Sequence, residues 1–106
     1  MNAEEKETLR QQVIGIIKTV YDPEIPVDIW ELGLIYDVSI DDEGKTRILM
    51  TLTTPNCPAA ESLPVQVKHR VEQIEGVKEA DVEIVWEPPW NPQMMSEAAR
   101  LQLGYM

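Results

Sequence analysis

The spacing of apolar residues changes period four times along this chain, and that alternation restricts its fold more than any single motif. Leu9, Val13, Ile16, Ile17 and Val20 recur at helical spacing, so residues from about Ala3 to Val20 read as an amphipathic helix. Asn2 is placed to cap it, with Glu5 three residues on in a variant of the capping box, and Asp22, Pro23 and Pro26 stop it. From Leu34 the period falls to two. Leu34, Tyr36, Val38 and Ile40 share one face, and Asp37 and Ser39 take the other. A polar turn with Gly44 follows, after which Ile48, Met50 and Leu52 alternate with Arg47, Leu49 and Thr51, completing a β-hairpin. Leu63, Val67, Val71 and Ile74 form a second helical stripe that Gly76 ends, and Pro64 predicts a kinked or separate first turn. Val82, Ile84 and Trp86 make a third alternating strand. A proline-rich bend, EPPWNP, then leads into a short helix from about Gln93 to Leu103, closed by Gly104.

The resulting order, α-β-β-α-β-α, implies an α/β chain of the two-layer α+β kind: a small three-stranded mixed sheet with helices on one face. With 106 residues the chain is expected to be one domain, 1–106, ending in a proline-rich strap and short helix over 87–106. It has no phenylalanine, so aliphatic side chains with three tryptophans and three tyrosines must fill the core.

Charge and composition exclude several functions. A net charge of −10 argues against nucleic acid as a partner, because phosphate backbones need clustered Lys and Arg. It favours basic partner surfaces, although solubility alone accounts for it equally well. No apolar run approaches the roughly 18 residues of a membrane helix. The opening MNAEEKE is acidic where a secretory leader is basic, so a cytoplasmic location is expected. The single cysteine, Cys57, cannot form an internal disulfide, which suits a reducing compartment.

The element order also predicts a site. In the hairpin, the start of the first strand lies beside the end of the second. A crossover helix should return the third strand parallel to the second. Three compositionally unusual segments then converge on one rim: DPEIPV (22–27), TTPNCP (53–58) and the aromatic stretch from Trp86 to Trp90.

Cys57 directly precedes Pro58, and proline is favoured at the first position of a helix. Free N–H groups and the dipole at a helix N-terminus stabilise thiolate, the form that acts as nucleophile and as soft-metal ligand; a buried, inert cysteine is the equally open structural alternative. Asp22 and Glu24 are the nearest carboxylates in this topology, though a proline turn explains them too. Thr53 and Thr54 can donate hydrogen bonds to a sulfur or ligand, or simply cap the following helix. His69 lies twelve residues past Cys57, about 18 Å along a helix, which rules out a Cys-His pair within the chain. In the tail, Trp86, Trp90 and Met94 read either as a strap packed over the sheet edge or as a partner-docking surface.

Taken together, DPEIPVDIWELGLIYDV, TLTTPNCPAAESLP, IEGV and VWEPPWNPQMMSEAARLQLGY resemble the SufT branch of the metal–sulfur cluster biosynthesis family, which also includes PaaD-type proteins. The similarity spans nearly the whole chain, and the tail matches the SufT branch better. The resemblance implies an iron–sulfur assembly fold and a role in maturing client iron–sulfur proteins. It also implies that Asp22, Glu24, Thr53, Thr54 and Cys57 form a functional surface cluster. The partners it implies are scaffold or carrier proteins and client apoproteins, with a homodimer left open.

Chemistry bounds that role. A cluster needs about four protein thiolates, and this chain supplies one, so no stably bound cofactor is expected. The expected role is then that of an accessory factor rather than an enzyme: Cys57 as a transient ligand to iron or an iron–sulfur cluster, an adaptor between a scaffold and its clients, or a factor handling iron or sulfur in passing, among which the sequence does not choose. A thiol enzyme with Cys57 as nucleophile and Glu24 as base, or a pure interaction module, are the alternatives.

Overall fold

The structure is a computed structural model that describes residues 1–22, 25–53 and 59–104. Helix α1 spans Ala3–Ile17. The Asn2 side chain accepts the Glu5 N–H at 2.8 Å, and the Glu5 carboxylate accepts the Asn2 N–H at 3.4 Å, which satisfies two of the free donors of the first turn. The helix stops three residues before Val20. Thr19 donates its hydroxyl to the Ile16 carbonyl at 2.6 Å, and the N–H groups of Thr19 and Val20 reach back only three residues, tightening the chain out of α geometry. Val20 is nonetheless buried with Leu9, Val13 and Ile17.

Strands β1 (Ile35–Ile40) and β2 (Lys45–Met50) pair antiparallel, and β3 (Glu79–Ile84) pairs parallel to β2, giving the sheet order β1-β2-β3. The expected alternation of β1 is broken. Ile35 faces Met50 and Asp37 faces Leu49, so Tyr36 is the extra residue of a bulge and leaves the face occupied by Val38. In β2, Thr46, Ile48 and Met50 are buried while Lys45 and Arg47 are exposed, as expected when one face of a sheet is covered. The third strand ends at Ile84, so Trp86, expected within it, lies beyond it and is 45% exposed. The prolines at 88 and 89 have no N–H to extend the ladder, and the Glu87–Pro88 bond is cis.

Helix α2, Ala59–Glu72, continues on both sides of Pro64, which therefore does not separate its first turn. The missing N–H removes one backbone bond, and the stripe of Leu63, Val67 and Val71, all fully buried, holds the helix to the sheet. Helix α1 packs on β1 and α2 on β3, and the two helices touch. The single final helix expected from Gln93 is divided into a 3₁₀ turn at Pro92–Met94 and helix α3 at Glu97–Leu103. Two caps cause the division: Asn91 accepts the Gln93 N–H at 2.9 Å, and the Ser96 hydroxyl accepts the Ala99 N–H at 3.1 Å. Gly104, at φ 79°, closes α3.

Both edges of the sheet are partly covered by helix side chains. Arg10 donates to the Val38 carbonyl at 3.0 Å on the β1 side. On the β3 side, Lys68 donates to the Ala80 carbonyl at 2.6 Å and Glu72 accepts the Ala80 N–H at 3.1 Å. The Ala80 N–H, followed by Lys68, holds the Glu72 carboxyl below the usual carboxylate range. A carboxylate whose pKa is depressed on folding adds stability above its unfolded pKa and loses it as pH falls through the folded value. Glu72→Gln is therefore expected to lower the melting temperature slightly near neutral pH. That difference should close as pH drops below about 4, a comparison made by melting both proteins across the acid range.

Candidate functional site

The rim is assembled by main-chain hydrogen bonds that continue past the ends of the strands. Thr51 N–H donates to the Leu34 carbonyl at 2.8 Å, joining the end of β2 to the start of β1. Val85 N–H donates to the Met50 carbonyl at 2.8 Å, which places the exit of β3 beside them. The loop after α1 is fastened to the same end: Ile29 N–H bonds Val20 O at 2.9 Å, and Leu34 N–H bonds Ile29 O at 3.1 Å. The Asp28 carboxylate accepts the N–H groups of Trp30 and Glu31, each at 3.1 Å, and so starts the turn that delivers Leu32 and Leu34 to the core.

Of the expected cluster, Asp22 and Thr53 lie among the described residues, and Glu24, Thr54 and Cys57 lie outside them. Asp22 is buried, with 5% exposure, and its carbonyl accepts the Ile25 N–H at 3.4 Å. Thr53 is half-buried three residues after β2. Helix α2 begins at Ala59, two residues after Cys57 in sequence. His69 is exposed on α2. Among the described residues, no group of three or more His, Cys, Asp or Glu side chains is arranged to hold a metal ion.

The tail returns across this end of the molecule. The Tyr36 hydroxyl donates to the Pro88 carbonyl at 2.7 Å and lies 3.6 Å from the Met94 sulfur. Burial raises the Tyr36 pKa above the ordinary phenol value, and the neighbouring Thr51 hydroxyl acts in the opposite direction. Trp90 Nε1 donates to the Leu32 carbonyl at 2.7 Å, Ser96 N–H to Glu31 O at 2.8 Å, and Gln102 Nε2 to Pro26 O at 3.2 Å. Trp90 packs against the core, Met95 and Ala99 are buried in it, and Trp86 stays open to solvent.

Three of these fastening residues escaped the sequence reading. Tyr36 leaves its expected face through the bulge. Asp28 is an ordinary acid until its turn forms. Gly33, at φ 81°, has the tail directly over it: a Cβ there would lie 2.3 Å from the Met94 carbonyl oxygen. A glycine directly before an alternating strand was the available signal.

A family model described as "Iron-sulfur cluster assembly protein" matches residues 10–84. The chain belongs to that family. Over 106 residues, all of both chains, it is 45% identical to a protein of Porphyromonas gingivalis named Fe-S protein maturation auxiliary factor. It is also 45% identical over 85 residues to the Fe-S protein maturation auxiliary factor SufT of Staphylococcus aureus, covering 80% of this chain and 97% of that one. The crystal structure of a domain of unknown function from Bacillus anthracis superposes with a TM-score of 0.91 at 37% identity, covering 99% of this chain and 100% of that one.

The tail packing generates a stability prediction. Gly33→Ala forces both an unfavourable φ and a main-chain collision, so a loss on the order of 3 kcal/mol is expected in urea unfolding, with faster proteolysis after residue 86. Gly15→Ala is the control. Its added Cβ meets nothing within 4 Å inside α1, and the change should stabilise by up to about 1 kcal/mol.

Proposed function

We propose that this protein is an accessory factor in iron–sulfur protein maturation, a non-catalytic adaptor whose Cys57 is a transient ligand to its cargo. The observation that carries the reading is identity of 45% across the entire length of a protein named as a maturation auxiliary factor. The topology of the rim supports it. The end of β2, the start of β1, the loop after α1 and the exit of β3 toward Trp86 are joined by main-chain hydrogen bonds. In this reading Asp22, Glu24, Thr53 and Thr54 surround the thiol, and Trp86, Trp90 and Met94 bear on partner docking.

Ligand number decides between carrying a cluster and handling one in passing. One thiolate leaves an iron–sulfur cluster short of about three protein ligands, so a scaffold, carrier or client must supply the rest while the cargo is in contact with Cys57. Iron or cluster is therefore substrate, held between two proteins rather than resident in this one. The partners are scaffold or carrier proteins and client apoproteins, met in the cytoplasm. No described helix is long and apolar enough to cross a membrane.

Cys57→Ser tests the thiol. Serine is close in size but supplies no soft ligand, so a strain lacking the native gene and carrying this variant should show client enzyme activity at the level of the deletion, with client polypeptide unchanged. The variant's melting temperature should stay within a few degrees of the parent, because no large core cavity is made. Glu24→Gln should give a smaller loss if that carboxylate only assists the thiol. Full complementation by the serine variant would remove the thiol from the mechanism.

A further inference from the structure

β3 is an edge strand, and its hydrogen-bonding pattern shows which of its groups face outward. Val85 N–H bonds β2 at Met50, so in this parallel ladder the odd-numbered residues turn toward β2 and Ala80, Val82 and Ile84 direct their N–H and C=O groups away from it. Ala80 confirms the assignment, since both its groups are taken from outside by Lys68 and Glu72 of α2. That cover ends at Ala80. No described residue pairs with the outward groups of Val82 or Ile84, and β3 ends the sheet order. On the opposite edge, by contrast, β1 has a bulge and Arg10 occupies the Val38 carbonyl.

Charge specifies what this edge can accept. Glu79, Asp81 and Glu83 are exposed at alternate positions of β3, on the face away from the helices, and exposed Glu87 follows. The two cations opposite them on β2 are already paired: Arg47 with Glu83 at 3.1 Å, and Lys45, in register with Glu79, with Glu43 at 3.6 Å. A second copy of the chain joined through this edge would set these carboxylates against their own kind, an arrangement that destabilises paired strands. A segment with Lys or Arg at alternate positions would oppose them with complementary charge.

We infer that the Val82–Ile84 edge of β3 is a docking site for an extended, basic segment of a partner protein, which adds as a fourth strand with its cations over Glu79, Asp81 and Glu83. The exposed Trp86 follows β3, so the docked chain is led toward the end of the sheet at which β2 and β3 end. The inference concerns recognition and is independent of the thiol; Cys57→Ser leaves the edge intact.

The probe is a blocked heptapeptide, Lys-Thr-Lys-Val-Lys-Thr-Lys, titrated into the isotope-labelled full chain. Binding should move the amide signals of Val82 and Ile84 first and should weaken several-fold as salt rises from about 50 to about 200 mM. The same peptide with Glu for Lys should not bind. Val82→Pro removes one outward donor while leaving the ladder to β2, and should weaken binding about tenfold. Asp81→Lys, an exposed change that does not depend on strand tolerance of proline, should weaken it about threefold. Absence of binding, equal binding of the Glu peptide, shifts confined to other acidic surfaces, or undiminished binding by both variants would overturn the inference. Sedimentation showing a dimer that Val82→Pro dissolves would overturn it too, by assigning the edge to a second copy.

Discussion

The parallel return of β3 onto β2 is the constraint on which the rest of the molecule depends. A two-stranded hairpin has two unlike ends: one is a turn, and the other holds both free ends and carries the chain in and out. Only a parallel third strand brings a further exit to that second end, and a parallel neighbour requires a crossover element. Helix α2 supplies it because Leu63, Val67 and Val71 form one stripe that matches the apolar face carrying Ile48, Met50 and Ala80. The same stripe sets the register. A slip of one residue in β2 would turn Ile48 and Met50 to solvent and bring Arg47 and Leu49 into the core, so burial of the helix and alignment of the rim are one requirement.

The tail shows a second kind of ordering, in which polar pins act where there is no ladder. Beyond Val85 the described residues add no strand, yet the chain is held at Pro88, Trp90, Ser96 and Gln102 by single hydrogen bonds to residues between Pro26 and Tyr36. Each such bond is worth about 1 kcal/mol net, too little alone to order nearly twenty residues, and burial of Met95 and Ala99 with the packing of Trp90 and Leu103 on the core adds to them. The pins decide where that burial occurs. Their acceptors include the carbonyls of Pro26, Glu31 and Leu32, in the loop that follows Asp22, so the tail steadies one flank of the candidate cluster. Strap and docking surface are thus compatible: Trp90 is committed to the Leu32 carbonyl, while Trp86 remains exposed.

The element order, the mixed sheet and the cap at Asn2 were all legible because each rests on local pattern, either period or cap chemistry. What was not legible depends on partners distant in sequence. Trp86 alternates with Val82 and Ile84 as a strand residue should, but strands end where their neighbour ends, and β2 stops pairing at Met50. Tyr36 has the right period for the core face, and only the tail, more than fifty residues on, explains why the bulge turns it elsewhere. The tail helix was read as continuous because Gln93 to Leu103 contains no breaker; Asn91 and Ser96 divide it by capping, a use of polar residues that periodicity does not detect. For the site, the sequence identified which strand ends meet, since strand direction follows from topology, while most of the 53–58 segment lies outside the described residues. The position of each side chain within the rim does not follow from topology, and among the described residues Asp22 proves to be a buried group rather than an open carboxylate.

Charge gives the last link between surface and function. The chain has nineteen acidic residues against nine Lys and Arg, and its cations are largely engaged within the molecule. Lys6, Lys45, Arg47 and Lys68 pair with carboxylates, Arg10 reaches the Val38 carbonyl, and Arg70 reaches the Thr19 carbonyl. The surplus carboxylates therefore dominate the field at the surface, which attracts cations and basic segments and repels further copies of the same chain. For a protein that offers one soft ligand, such a field is useful in a specific way. Under the proposed function, it would bring the partner that completes the coordination, from a surface that need not include the thiol. Separation of docking from ligation lets the second be weak and brief while the first sets specificity, as transfer of a cargo between two proteins requires.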